Sequence, residues 1–249
     1  MNFYTDQRYL LEEQYRDDSN FAARIDLHRR FSTNPEPWHR WVFERLDLAQ
    51  EADVLEVGCG PAWLWRENVE RLPAGWRLTL VDLSPGMIER ARQGLGDRAD
   101  YCVADVQTLP FEDASFDAVV ANHMLYHVPD RGRALDELAR VLRSGGRFFA
   151  ATNGGAHLQE IFALRSGAGD PEFVLETAGD ELAVEFAEVE LERYPCDLEV
   201  TEVEPVLAFV RSGSWPVVED AAERVRTEVE LRGSFHVTMS TGLFRGRKP

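Results

Sequence analysis

Short apolar runs rich in β-branched residues alternate along the chain with stretches whose apolar residues recur every three or four positions. The runs predict strands and the stretches predict helices. Strands are expected near 53–57, 77–81, 100–103, 116–121 and 147–152, with helices near 62–71, 85–94 and 131–142. The last helix has the sharpest signal: Ala134, Leu135, Leu138, Val141 and Leu142 form one stripe, and Ser144-Gly145-Gly146 supplies a stop. Such alternation is the pattern of a parallel sheet with helices on both faces.

The flanks read differently. Residues 1–46 form a helical cap, in which Ser19 begins a helix through Phe21, Ile25 and His28. Asn34-Pro35 begins another through Trp38, Trp41, Val42 and Leu46. The aromatics Phe3, Tyr4, Tyr9, Tyr15, Trp38 and Trp41 pack an extra layer on the sheet, or close as a lid with Tyr15, Arg24 or His28 reaching inward. After strand five, residues 154–182 read as an insertion. Its helix carries Leu158, Ile161, Phe162 and Leu164 and is broken at Gly167-Ala168-Gly169-Asp170-Pro171. A strand near 184–192, helices near 202–211 and 217–231, and a strand near 234–244 finish the pattern. With no repeat and no long linker, residues 1–249 are expected to form one domain.

Composition narrows the function classes. A formal net charge of −17 repels phosphate backbones, so no nucleic-acid partner is expected. No apolar run approaches the ~20 residues that span a bilayer, and the N-terminus lacks a signal-peptide pattern. Cys59, Cys102 and Cys196 make neither a CxxC pair nor a disulfide framework. A cytoplasmic protein without membrane contact is the expectation. The histidines show no HExxH pattern and the cysteines no zinc spacing, so no metal site is expected either.

The chemistry gathers where the strands end. The first strand runs through Val54-Leu55-Glu56-Val57 into Gly58-Cys59-Gly60-Pro61, a glycine turn that lets backbone approach a small ligand. A dinucleotide fingerprint wants glycine at 63, where Trp63 stands, and the Gly-Lys-Ser/Thr ending of a P-loop is absent. The second strand ends at Asp82, 22 residues after Gly60, a spacing from which a carboxylate reaches ribose hydroxyls. Ser84 caps the helix that follows. The third strand ends at Asp105, which also suits capping a turn before Pro110. The fourth leads into Asn122-His123-Met124-Leu125-Tyr126-His127, where a helical turn would put both imidazoles on one face. A neutral imidazole there takes a proton from a hydroxyl or ammonium group.

Glu56, the Gly58/Gly60 turn, Asp82, Asp105 and the histidine-bearing rim, in this order, resemble class I S-adenosylmethionine (SAM)-dependent methyltransferases over residues 50–152. The likeness is to their small-molecule members, the type 11 and quinone-biosynthesis-like enzymes, with Ala62 where a third glycine is usual. The resemblance implies an α/β fold: a doubly wound, seven-stranded, mostly parallel Rossmann-like sheet, ended by a reversed hairpin and topped by an N-terminal helical lid. It implies SAM as cofactor, S-adenosylhomocysteine as product, and in-line methyl transfer to oxygen or nitrogen of a small organic acceptor. Glu56, Gly58, Cys59 and Gly60 would flank the methionine part, and Asp82 would hold the ribose. Leu83 and Met87 would wall the adenine, and Asp105 would accept from its amino group beside the Val106 N–H. Asn122 and His123 would lie by the sulfonium. His127 is the first candidate base, His123 the second and His157 the third. The alternatives are a non-catalytic SAM-binding partner protein of the same fold, or another transfer from SAM or its decarboxylated analogue. The D/N-P-P-Y/F motif of nucleobase-amine methylation is absent, with Asn122-His123-Met124-Leu125 in its place.

Overall fold

Val54, Leu55 and Val57 are wholly enclosed in β1 (Glu51–Val57), as a strand covered on both faces requires. The computed structural model describes residues 5–14, 19–166, 172–213 and 216–249, leaving aside the side chains of 13–23. Before β1 come α1 (Gln7–Tyr9), α2 (Ser19–Phe31) and α3 (Trp38–Leu46). After it follow α4 (Trp63–Arg66), β2 (Gly75–Asp82), α5 (Pro85–Leu95), β3 (Ala99–Val103), β4 (Phe116–Asn122), α6 (Arg131–Val141) and β5 (Leu142–Asn153). The rest comprises α7 (Gln159–Phe162), α8 (Leu175–Leu182), β6 (Ala187–Arg193), β7 (Leu198–Val200), α9 (Val203–Arg211), α10 (Ala221–Arg232), β8 (Phe235–Val237) and β9 (Thr241–Arg247).

Seven strands form one sheet in the order β3-β2-β1-β4-β5-β9-β6. β1 through β5 are parallel, while β9 runs antiparallel to both of its neighbours. This is the doubly wound, mostly parallel sheet with a reversed hairpin. The strand order turns back between β1 and β4, and in such sheets the ligand crevice opens at that point, beyond the C-terminal strand ends.

Alternation along β5 divides the two main cores. Phe148 and Ala150 face α6 and α8, while Phe149 and Ala151 face α3 and α5 with Trp41 and Trp65. A third cluster joins Leu27 and Phe31 of α2 to Ile161, Val206, Val225 and the β7–β8 ribbon. The expected insertion is therefore divided: α7 belongs to this third cluster, whereas α8 sends Leu175, Ala178 and Leu182 to the sheet.

Several expected elements change. The helix expected at 62–71 shrinks to α4 and a 3₁₀ turn, Val69–Arg71. Ala62 before it is left-handed (φ 61°), so Pro61 lies outside the helix, and the Asn68 amide ends it by donating to Leu64 and His39 carbonyls. Ser144-Gly145-Gly146 is no helix stop: Leu142 is already extended, and the glycines run inside β5 where its register against β4 shifts. The helix expected after Gly154 is only α7, and α8 was not foreseen. The strand expected at 234–244 is two, β8 and β9. Residues 238–240 leave the sheet because Glu160, Asp197 and His157 bind their backbone N–H groups. Phe3, Tyr4, Tyr15, the breaker 167–171 and the Phe21 side chain lie outside the described residues.

Candidate functional site

The turn after β1 needs its glycines for two different reasons. Gly58 (φ 61°) lies under Met124, so a Cβ there would stand 2.6 Å from the Met124 Cβ. Gly60 (φ 52°) opens instead onto space, with no atom within 4 Å of a built Cβ. The Cys59 N–H donates to the Val81 carbonyl at 3.0 Å, stitching the turn to β2. Burial pushes the Cys59 thiol pKa up, so it stays protonated.

Asp82, at the end of β2, organises both neighbours. Its Oδ2 accepts from the Gly60 N–H and its Oδ1 from the Ser84 N–H, each at 2.8 Å. Ser84 Oγ in turn accepts from the Met87 N–H, the expected helix cap. Desolvation raises the Asp82 pKa against the pull of those backbone bonds. Glu56 is 2% exposed and accepts from Trp65 Nε1 at 2.6 Å. Desolvation pushes its pKa up to about 8, opposed by that bond and aided by the Asp82 charge.

At the end of β3, Asp105 holds the turn Val106–Thr108 and lines the cleft, so its capping and binding readings coexist. Its Oδ1 accepts from the Gln107 N–H at 2.9 Å, and the Gln107 amide reaches both oxygens. Gln7 of α1 donates to Oδ2 at 3.1 Å. Burial raises the Asp105 pKa, but the bonds from Gln107 and Gln7 outweigh it and the net shift is downward.

Beyond β4 the backbone departs from expectation. His123 is left-handed (φ 57°) and the following turn, Leu125–His127, is 3₁₀. The two imidazoles are therefore not stacked on one helical face, although both line the cleft. The Asn122 side chain accepts from Trp38 Nε1 at 3.2 Å, and the Trp38 ring lies 5.0 Å from that of His123. His127 packs against Tyr126 with ring centroids 4.5 Å apart. Desolvation pushes the His123 pKa down to about 3, and His39 and His28 add smaller effects. His28 falls to about 4, again chiefly by desolvation, and His157 also falls well below its usual value.

Most of these groups, though not Trp65 or Gln107, line one cleft of about 1310 Å³. Glu56, Gly58, Cys59, Gly60, Asp82, Leu83, Met87, Asp105 and Val106 are among its lining residues. Asn122, His123, His127, His28 and His157 line it too, as do Phe162 and Phe209, which also pack against the third core cluster. Trp63 leaves the cleft open, its ring lying under the Arg66 guanidinium, with Cζ 4.4 Å from the centroid. Gln7, Asn153 and Thr241 also line it and carried no sequence signal. Trp38 was visible only as one aromatic among several. Among the described residues no group of three or more His, Cys, Asp or Glu is placed to hold a metal ion. Among the same residues no helix is long and apolar enough to cross a membrane.

Residues 55–150 match a family described as "Methyltransferase domain". Methyltransferase GfsG of Streptomyces halstedii is 39% identical over 119 residues, covering 44% of this chain and 41% of that protein. The ubiquinone biosynthesis O-methyltransferase of Xanthomonas oryzae pv. oryzae is 43% identical over 116 residues, covering 45% of this chain and 47% of that protein. The chain thus spans less than half the length of these relatives. Phosphoethanolamine N-methyltransferase 2 of Haemonchus contortus, solved with S-adenosyl-L-methionine, superposes with a TM-score of 0.60 at 19% identity. That superposition covers 97% of this chain and 59% of the other, and at such identity it speaks for the fold.

Proposed function

We propose that the chain, whose residues 55–150 match the methyltransferase-domain family, is a class I enzyme that moves a methyl group from SAM to oxygen or nitrogen of a small organic acceptor. The observation that carries the reading is the pairing of Asp82 with the Gly60 N–H, in a cleft that Asp105, just beyond β3, also lines. The open space over Gly60 suits a cofactor lying against that turn. SAM supplies a methyl group made electrophilic by its sulfonium.

The residues of the chain do the rest. Asp82 and Asp105 hold the nucleoside, and the Gly58–Gly60 backbone seats the methionine part. Positioning supplies most of the acceleration, about 7–11 kcal/mol in well-oriented reactions. His127 takes the proton that the acceptor releases, worth a factor of about 10²–10⁴. His123, which burial holds neutral, orients rather than titrates.

The test is incubation with SAM and fractionated metabolite extracts, read by S-adenosylhomocysteine release and a product heavier by one methylene. Release that depends on an added fraction supports the proposal. Binding of SAM without turnover on any fraction favours a non-catalytic binder, and absence of SAM binding by calorimetry removes the reading altogether.

A further inference from the structure

Arg24 and His28 stand one turn apart on α2, so their side chains leave the same face of the helix, and both line the cleft. Each meets the Phe209 ring of α9: the Arg24 Cζ lies 5.9 Å from its centroid and the His28 ring 6.3 Å. Ser212 orients the guanidinium, its hydroxyl accepting from Nε at 3.2 Å and its carbonyl from Nη2 at 3.5 Å. His157, just before α7, lines the same cleft. The three are electrostatic neighbours. After burial, the Arg24 charge lowers the His28 pKa, and His28 in turn lowers that of His157.

The tautomer of His157 follows from Ser240. The Ser240 N–H donates to His157 Nδ1 at 3.3 Å, and burial holds the ring neutral, so its one proton sits on Nε2. Nε2 has no hydrogen-bond partner among the described residues, yet it is not sealed off. The atoms both buried and unpartnered include Trp63 Nε1, His123 Nδ1, Asn153 Oδ1 and Arg165 Nε, which are too enclosed to select a ligand. The His157 Nε2–H and the ring nitrogens of His28 keep accessible surface.

Charge selects the ligand. Arg24, Arg29, Arg40 and Arg165 all line the cleft of a chain whose net charge is −17. Arg29 pairs with Asp26, the Arg40 charge is felt by Glu67, and the Arg165 Cζ lies 3.8 Å from the Phe162 centroid. The carboxylates of the cleft are engaged elsewhere. Glu56 accepts from Trp65, Glu67 lies 3.3 Å from His39 Nδ1, and Asp82 and Asp105 accept backbone N–H groups. The Asp82 charge acts on Glu56 and Cys59, but no carboxylate of the described residues acts on His28 or His157. A guanidinium beside an N–H donor suits an oxyanion, whereas an ammonium group there would be repelled by Arg24. At 1310 Å³ the cleft exceeds the roughly 300–1,000 Å³ of an ordinary small-ligand pocket, leaving room for a second molecule beside a nucleoside.

We infer that the methyl acceptor is an anionic molecule whose oxyanion, a carboxylate or a phosphate monoester, docks on Arg24 and the His157 Nε2–H, with His28 beside them. Only the word acceptor rests on the methyltransferase reading; the docking chemistry stands on the cleft itself. Because His157 meets the ligand through an N–H, it recognises the acceptor and takes no proton from it.

The experiment is calorimetry of the full chain near pH 7, with and without saturating S-adenosylhomocysteine, using four naphthalene probes. These are 2-naphthoate, 2-naphthyl phosphate, 2-naphthylmethanol and 2-(aminomethyl)naphthalene. At least one of the two anions is expected to bind about tenfold or more tightly than the alcohol, and the tighter of them names the oxyanion. In Arg24→Gln that ratio falls toward one. In His157→Asn, which keeps an acceptor for the Ser240 N–H, it shrinks, with affinity for the alcohol unchanged in both. Should Arg24→Gln not fold, as judged by circular dichroism, His157→Asn decides. Preference for the alcohol or the amine, an unchanged ratio in a folded variant, or no binding of any probe overturns the inference. Failure of S-adenosylhomocysteine to bind would tell against the methyltransferase reading and leave the probe ratio intact.

Discussion

Gln7 Nε2 donates to Asp105 Oδ2 at 3.1 Å across 98 positions of sequence, so the N-terminal segment sits on the carboxylate proposed to receive the adenine amino group. A carboxylate accepts about four hydrogen bonds, and Gln107 already reaches both oxygens. The adenine must displace Gln7. Gln7→Ala is expected to tighten S-adenosylhomocysteine binding by about threefold to tenfold, one neutral bond being worth about 0.5–1.5 kcal/mol. Calorimetry checks it, and weaker binding would mean that Gln7 itself holds the nucleoside.

Asp82 carries the heaviest load among the residues proposed to hold the cofactor, because its two oxygens tie the glycine turn and the start of α5 together. Asp82→Ala is expected to abolish SAM binding by calorimetry. Unchanged affinity would remove the ribose assignment.

The two glycines of the turn should separate folding from binding. At Gly58→Ala the new methyl meets Met124 at 2.6 Å in a left-handed backbone, and a loss of about 1–3 kcal/mol is expected in urea melts. Gly60→Ala meets no protein atom, so only the backbone strain of about 1 kcal/mol remains. Its methyl projects into the cleft, and the loss should appear in cofactor affinity. Equal stabilities for the two variants would contradict this division.

Glu56 makes stability depend on pH in a defined direction. Its folded pKa, about 8, lies above the ordinary value of 4.5, so the folded state holds a proton that the unfolded state has lost. Between those values stability falls as pH rises. Glu56→Gln keeps an acceptor for Trp65 without the ionisation. Its unfolding free energy in urea melts should match wild type near pH 4.5 and exceed it increasingly toward pH 8, by about a few kcal/mol at the upper end. A difference that does not vary with pH would show that the carboxyl is not the cause.

His127 and His123 are assigned different duties, and kinetics can tell them apart. Once a substrate is in hand, His127→Ala should lower kcat by about 10²–10⁴ with S-adenosylhomocysteine affinity unchanged. A wild-type rate would demote His127 to ordering the loop beside Tyr126.

Much of this protein was legible in the order of its residues. Apolar runs and three-to-four-residue periodicity are local consequences of backbone geometry, so β1 to β5, α5 and α6 stand close to where the pattern put them. The places of Asp82 and Asp105 were legible because residues at or just past the end of a parallel strand emerge at the common rim. The tertiary structure alone decided what meets those residues there. Gln7 reaches Asp105, Trp38 reaches Asn122 and Thr241 reaches His123 over separations of 98, 84 and 118 positions, which no local period records. It also decided the left-handed bend at His123, which sets the imidazole beside Thr241 and Trp38 rather than on a helix with His127. That bend, and the division of the last strand into β8 and β9, follow from hydrogen bonds and packing supplied by distant parts of the chain, for which a linear pattern has no signal.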